Sequence, residues 1–159
     1  MQTENKQDSY LSFKIGEESF ATNVSKVLEI LELPKITKIP NAPDYMLGVI
    51  NLRSKVLPVL DTRIKFGLQP GDVTVNTSII VLNLVFEGES LTLGALVDAV
   101  DEVLELNTSD IEAVPSIGSG YRLDYLSGMV KSNEKFIMLL DVDKLFSTDE
   151  INSAQAISN

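Results

Sequence analysis

The carboxylates in the segment 98–105 are the side chains of this sequence that could most readily perform acid–base chemistry. The cluster comprises Asp98, Asp101, Glu102 and Glu105. Two neighbouring carboxyl groups can act as general acid and general base on a glycosidic bond, but such an acid needs burial and aromatic neighbours to raise its pKa. Because the chain has no Trp, we favour a solvated acidic face, with an acidic enzyme as the weaker alternative.

Composition removes most other catalytic and cofactor chemistry. The chain has no His and no Cys, which excludes imidazole bases, thiolate nucleophiles and zinc sites built from these ligands. The acidic cluster also lacks the D-x-D-x-D-G spacing of a calcium-binding loop. We therefore expect no catalytic residue, no metal and no cofactor.

Two opposite charges, Glu29 and Arg53, each lie among apolar neighbours and are the more specific candidates. If both are partly buried, pairing across the fold lowers the cost of burying each charge. Two exposed surface charges are an equal alternative. The second half of the chain has Asn133 in place of Arg53, so an ion pair would belong to the first half only. We therefore expect the functional site in the first half of the chain, at Glu29 and Arg53.

The elements that position these charges come in two copies. Residues 45–66, YMLGVINLRSKVLPVLDTRIKF, and residues 125–146, YLSGMVKSNEKFIMLLDVDKLF, share Tyr, Gly, Lys, Leu, Asp and Phe at an offset of eighty. Upstream, the V-x-x-V-L-E segment ending at Glu29 is repeated at an offset of seventy-six and ends at Glu105. Gly48 recurs as Gly128, which indicates a backbone constraint such as positive φ or a close contact.

Short apolar runs separated by Gly and Pro turns predict a mainly β protein. Tyr10–Ile15 and the run from Phe20 form a hairpin, and Ser78–Phe86 is a buried strand followed by a second hairpin. Residues 24–30 fit either a short helical turn or a kinked strand, with Ser25, Lys26 and Glu29 facing outward. No long amphipathic helix separates the strands, so we infer two small β-barrels in tandem. The polar residues 147–159 form a tail, with a helix that frays.

The net charge and the lack of a long apolar run exclude some classes of binding partner. The net charge of −10 argues against binding a phosphate backbone or an anionic membrane surface. The N-terminal residues lack the features of a secretion signal, and no apolar run is long enough to span a bilayer. We expect a cytoplasmic protein that contacts neither nucleic acid nor the membrane interior.

Several segments together resemble CheW, the adaptor family of bacterial chemotaxis. They are YLSFKIGEESFATNVSKVLEI, IPNAPDYMLGVINLRSKVLPVLDTRIKFGL, GALVDAVDEVLEL and YLSGMV. APDYMLGVINLR is the most specific, and one departure is Ser54, where the family usually has Gly. The resemblance implies two intertwined five-stranded SH3-like β-barrels with a few short helices. It places the domain at residues 10–146, between tails 1–9 and 147–159, with halves 10–77 and 78–146 that can exchange strands.

The resemblance also implies a non-enzymatic scaffold with two partners. In this family the adaptor joins the cytoplasmic tip of a chemoreceptor to the regulatory domain of the histidine kinase CheA, within extended arrays. Carried over by motif, the receptor-binding residues are Val27, Glu29, Gly48, Arg53 and Gly94. Ile117 is the candidate contact with the kinase or with a neighbouring array component.

Two other interpretations keep the same fold. The chain could serve a related chemosensory pathway, such as one that controls pilus-based motility. It could also be the coupling part of a CheV-type adaptor, but we expect no receiver domain, because only a short tail follows Phe146.

Overall fold

The computed structural model describes residues 7–67, 72–114, 124–146 and 148–158. The strands are β1 (Gln7–Ile15), β2 (Glu18–Asn23), β3 (Val27–Glu32), β4 (Met46–Leu52), β5 (Lys55–Asp61), β6 (Ser78–Phe86), β7 (Glu89–Val97), β8 (Ala99–Asn107), β9 (Leu126–Ser132) and β10 (Lys135–Leu140). The helices are α1 (Thr62–Lys65), α2 (Val142–Leu145) and α3 (Thr148–Ser158), with 3-10 turns at Val24–Lys26 and Thr108–Asp110. Within these segments, no helix has the length and apolar character needed to cross a membrane.

The strands form two five-stranded curled sheets, in the orders β8-β1-β2-β10-β9 and β3-β6-β7-β5-β4. We call these barrel A and barrel B. Each barrel takes a hairpin from one half of the chain and three strands from the other half. The parallel pairs β2–β10 and β5–β7 join the two contributions. The mainly β, intertwined fold is confirmed, and the simple tandem arrangement is wrong because the halves exchange their first hairpins.

The sequence repeat is also a structural repeat. The β4–β5 turn has positive φ at Arg53 (50°) and Ser54 (68°), and the β9–β10 turn has nearly the same values at Asn133 (49°) and Glu134 (66°). Two consecutive residues with positive φ are the mark of a type I′ hairpin turn, which usually contains Gly. The hairpin therefore forms with Ser54, and its register continues to the pair Leu52 and Lys55 beside the turn.

Gly48 and Gly128 each face a crossing strand segment. Gly48 has φ of +149°, and a Cβ there would lie 2.2 Å from the backbone oxygen of Thr37. At Gly128 a Cβ would lie 2.5 Å from the side chain of Ile111 and 3.1 Å from the Glu112 oxygen. The predicted close contact is thus confirmed in both copies. At Gly48 it protects the backbone bridge that joins Thr37 to β4.

The largest apolar core lies between the barrels and not inside either one. It combines side chains from both sheets, among them Phe13, Phe20, Leu60 and Leu93. The Phe20 and Phe66 rings stack with centroids 4.8 Å apart, so aromatic packing crosses from barrel A to the end of α1. The separate clusters inside each barrel are smaller. Neither barrel could keep its apolar surface buried without the other.

A buried ionic network also joins the two barrels at one end of this core. Arg63 Nε donates to Asp61 Oδ1 at 3.0 Å and Nη2 donates to Asp61 Oδ2 at 3.1 Å. Arg63 also approaches Asp98, whose other carboxylate oxygen accepts from the Gly16 amide at 2.6 Å. The hydrogen bond to Asp61 raises the pKa of Arg63, although burial opposes the shift. The network links α1 of barrel B to the β1–β2 turn of barrel A.

The C-terminal residues form a docked helix. In α3, Ile151 and Ala154 are fully buried in the core between the barrels. Glu150 is also buried and accepts from Lys65 Nζ at 3.2 Å. The segment interpreted as a polar tail thus supplies part of the core. At the other end, β1 begins at Gln7, before the predicted start of the domain.

We predict that Gly48→Ala lowers the free energy of unfolding by about 3 kcal/mol or more, because the rigid Thr37 carbonyl cannot move away from the new Cβ. Gly88→Ala is the matched control. Gly88 also has positive φ, but a Cβ placed there would have nothing within 4 Å, so strain alone should cost about 1 kcal/mol. Urea denaturation measures both, and equal losses would contradict a steric role for Gly48.

A second pair of variants tests buried hydroxyl groups. Thr22 Oγ1 is buried without a hydrogen-bond partner among the described residues, whereas Thr62 Oγ1 donates to the Leu96 carbonyl at 2.5 Å. We expect Thr22→Val to raise the free energy of unfolding by about 1 kcal/mol and Thr62→Val to lower it by about 1 kcal/mol. The same denaturation experiment checks both, and a loss at Thr22 would show that its hydroxyl has a partner.

Candidate functional site

A β-bulge in β3 decides which side chains reach the surface. Val27 pairs with Leu82 and Glu29 with Val81, so Leu28 is the extra residue. As a result Leu28 points outward with 57% exposure, and Ile30 follows with 45%. The sequence pattern predicted the opposite orientation for Glu29, which faces inward and is only partly exposed. That prediction is wrong, because the exposed positions of β3 are Leu28, Ile30 and Glu32, whereas Val27, Glu29 and Leu31 are partly buried.

Glu29 and Arg53 form the predicted ion pair. Arg53 Nη2 donates to Glu29 Oε1 at 2.8 Å, and the side chains of Arg53 and Glu29 are 72% and 25% exposed respectively. The pair joins β3, at one edge of barrel B, to the turn between β4 and β5 at the other edge. Of the two alternatives, Arg53 fits the exposed one and Glu29 the partly buried one. An exposed Arg held in one place by a less exposed carboxylate can present its remaining donors to a partner.

The ion pair borders an open groove of about 1310 Å³. Its apolar lining includes Leu28, Leu52 and Val56, and its polar lining includes Glu89 and Thr92 of β7 and Gln155 of α3. Val56 is 53% exposed, so two large aliphatic side chains, those of Leu28 and Val56, are exposed in the same groove as the ion pair. We call this depression the β3–β7 groove. Exposed apolar side chains beside fixed polar groups are typical of a protein-binding surface.

The other predicted site residues lie under or beside this surface. Val27 is half-buried and packs against the core between the barrels. Gly48 and Gly94 are buried, and a Cβ on Gly94 would lie 2.8 Å from the Ile79 side chain. The space around Gly94 is therefore limited by side chains and not by another backbone. None of these three residues lines the groove, and Ile117 lies outside the described residues.

Sequence reasoning missed Leu28, Val56 and Gln155. Leu28 was assigned to the buried face because the bulge has no clear sequence signal. Val56 had one available signal, because its repeat counterpart is Phe136, which is also exposed (46%). Gln155 lies far along the chain in the segment interpreted as a tail, and only the docking of α3 brings it to the groove.

The repeat gives barrel A a corresponding but different depression. It has about 430 Å³ and is lined by residues that include Ser12, Lys14 and Glu102. Glu105, the copy of Glu29, is exposed and accepts from Ser9 Oγ at 2.6 Å. The copy of Arg53 is Asn133, so the ion pair is a property of barrel B, as the sequence predicted.

The acidic segment 98–105 does not assemble into a catalytic pair. Asp101, Glu102 and Glu105 are exposed, in agreement with the favoured interpretation of a solvated face. Asp98 is the exception, because its carboxylate is bonded to Gly16 and approaches Arg63. Across the described part of the chain, no group of acidic side chains could hold a metal ion.

Two intertwined barrels with an open, partly apolar groove define a protein-binding module. Comparison with known proteins identifies the family within this class. Residues 9–150 match the model of the CheW-like domain family, and the chain belongs to this family.

Individual relatives and a solved structure agree with the family assignment. The chain is 35% identical over 142 residues to the chemotaxis protein CheW of Klebsiella aerogenes, covering 89% of this chain and 83% of the relative. It is 34% identical to the chemotaxis protein CheW of Rhizobium meliloti, covering 91% of this chain and 90% of that protein. The crystal structure of the scaffolding protein TtCheW from Thermoanaerobacter tengcongensis superposes with a TM-score of 0.78 at 28% identity, covering 91% of this chain and 96% of that one.

We predict that the Glu29–Arg53 pair contributes little to folding. Exposed ion pairs are worth less than about 1 kcal/mol, and most of the Arg53 side chain is exposed. In a double-mutant cycle with Glu29→Ala and Arg53→Ala, the coupling in the free energy of unfolding should stay below about 0.5 kcal/mol. A coupling above about 2 kcal/mol would assign the pair to the stability of barrel B.

Proposed function

We propose that this chain is a non-enzymatic chemotaxis adaptor that joins the cytoplasmic tip of a chemoreceptor to the regulatory domain of the histidine kinase CheA. The observation that carries the proposal is the Glu29–Arg53 ion pair at the β3–β7 groove, beside the exposed side chains of Leu28 and Val56. The membership of this chain in the CheW-like domain family supports a scaffold role. Both contacts would take place in the cytoplasm, where the receptor tip lies.

The chemistry of the groove suits a helical partner. A helix that lies in a groove is held by apolar anchors spaced one turn apart, with polar contacts at the rim. Leu28 and Val56 would receive such anchors, and the free donors of Arg53 would bond to polar groups on the partner. The open shape and the solvated ion pair favour a modest, reversible complex.

The proposal gives the glycines and Val27 an indirect role at the receptor contact. Gly48 allows Thr37 to bridge to β4, which supports the turn that carries Arg53. Val27 precedes the bulge that exposes Leu28, and Gly94 lets β7 pack closely between β5 and β6. Substitution at these positions would change the groove by moving its walls. The kinase contact assigned to Ile117 rests on the family resemblance alone.

To transfer a signal, the adaptor needs only to bind two states of a partner with different affinities. An adaptor can influence a kinase to the extent that it binds the two signalling states of the receptor, or of the kinase, with different affinity. A few contacts at one groove can supply such a difference, because a coupling free energy of about 1–3 kcal/mol is typical.

The proposal is tested by titrating a fluorescently labelled receptor-tip fragment with wild-type protein, Arg53→Ala and Asn133→Ala. The two variants change the same position of the same type of turn, one in each barrel. We expect Arg53→Ala to weaken binding at least about tenfold and Asn133→Ala to leave it unchanged. Absence of wild-type binding, or equal effects of the two variants, would contradict the assignment of the groove.

A charge exchange separates the ion pair from the single charge. Arg53→Glu should abolish binding, and Glu29→Arg in the same chain should restore part of it by re-forming the pair in reverse. The matched measurement is the folded fraction by circular dichroism, which should be the same for both variants. If the double variant binds no better than Arg53→Glu, the orientation of Arg53 by Glu29 is not what the partner recognises.

A further inference from the structure

The start of β3, the strand that carries Leu28 and Glu29, is tied to barrel A by an ion pair. Lys26 Nζ lies 2.7 Å from Asp143 Oδ2. Lys26 ends the 3-10 turn directly before β3, and Asp143 lies in α2, which follows the last strand hairpin of barrel A. The two side chains are 26% and 27% exposed. The pair therefore crosses the boundary between the barrels and is largely shielded from solvent.

The same carboxylate also binds the backbone of barrel B. The Val85 amide of β6 donates to Asp143 Oδ1 at 2.9 Å. The pairing of β3 with β6 extends only to Leu82, so the Val85 amide lies beyond the first residue of β3. The two oxygens of Asp143 thus hold two elements of barrel B, the turn before β3 and the edge of β6.

The position of Asp143 itself is set by barrel A. The Asp143 amide donates to Asp141 Oδ1 at 3.1 Å, which caps the start of α2. Val142 and Leu145 of the same helix are buried in the core between the barrels. A carboxylate mounted on this helix moves with it, so the ion pair passes the alignment of barrel A on to β3.

The repeat places a different connection at the other end of the core. Arg63 occupies the position that corresponds to Asp143 at the offset of eighty. Its side chain is only 6% exposed and is paired with Asp61 and Asp98. The Asp143 carboxylate is more exposed, and solvent weakens an ion pair. The connection at Asp143 is therefore the more easily broken of the two.

The start of β3 depends on this connection because of the bulge. The first pair of the ladder is Val27 with Leu82, and the register shifts directly after it. A bulge leaves one residue unpaired and disrupts the ladder locally. The residues before the bulge are thus held by little strand pairing, and Lys26 supplies the anchor. Since Leu28 lines the groove, a displacement of Lys26 would change the shape of the groove.

We propose that Asp143 is a positioning residue for the β3–β7 groove. By holding Lys26 and the Val85 amide, it fixes the start of β3 and makes the shape of the groove depend on the alignment of the two barrels. This inference rests on the proposed function and adds to it a route from barrel A to the receptor contact. Without the ion pair, the receptor must order the start of β3 as it binds, which lowers the affinity.

Hydrogen exchange of the free protein tests the structural part. Lys26→Met removes the ammonium group, and Lys144→Met is the matched control. It changes the net charge equally, but Lys144 is 60% exposed and lies 3.9 Å from Asp141 beside its own helix. In peptides covering residues 24–32, we expect exchange about threefold faster or more for Lys26→Met, and wild-type rates for Lys144→Met and Lys26→Arg. Equal exchange in Lys26→Met and wild type would overturn the inference.

Affinity for the labelled receptor-tip fragment tests the positioning role. Asp143→Asn keeps an oxygen acceptor for Val85 but loses the charge that holds Lys26. We expect Lys26→Met and Asp143→Asn each to weaken binding about three- to tenfold, the double variant to bind no worse than either, and Lys26→Arg to bind like wild type. If Lys26→Met weakens binding and Asp143→Asn does not, Lys26 contacts the receptor directly and the role of Asp143 is refuted.

Arg53→Ala, measured in parallel, separates this inference from the proposed function. If wild type binds and Arg53→Ala weakens the complex, but Asp143→Asn binds as well as Lys144→Met, then only the positioning role is refuted. If the wild-type protein does not bind the fragment, the proposed function fails and the positioning role fails with it.

Discussion

The apolar core between the two barrels holds the fold together. Each half of the chain donates its first hairpin to the other half's strands, so the barrels cannot separate without losing strand pairing. Phe20, Phe66 and Leu60 belong to this core or pack against it, and the Asp61–Arg63 pair closes one end. Because most of the apolar surface is buried here, the outer walls of the barrels are free to carry binding residues whose loss would cost little stability.

The β3–β7 groove is such a binding surface on the outer wall of barrel B. Exposure of Leu28 and Val56 is energetically unfavourable in the free protein. The ion pair of Glu29 and Arg53 contributes little to the free energy of unfolding. Such a combination is poorly explained by folding and well explained by recognition. The repeat supplies an internal comparison, because barrel A has the same turn geometry at Asn133 and lacks the ion pair.

The sequence predicted the elements better than their connections. The repeat, the two glycines and the Glu29–Arg53 pair could be identified because they rest on local patterns and on two copies that agree. The exchange of hairpins could not be derived from periodicity, since strand pairing across halves is a long-range choice, and it came from the family resemblance. The outward position of Leu28 depends on a bulge set by pairing with β6, and the groove position of Gln155 depends on tertiary docking of α3.

The proposed adaptor holds receptor and kinase at the same time. Co-sedimentation tests this bridging role: the CheA regulatory domain is centrifuged with particles that display receptor tips, with and without this protein. We expect the regulatory domain to enter the pellet in proportion to added wild-type protein, and much less of it to do so when the same concentration of Arg53→Ala replaces the wild type. A regulatory domain that stays in the supernatant at every concentration of wild-type protein would contradict the bridging role.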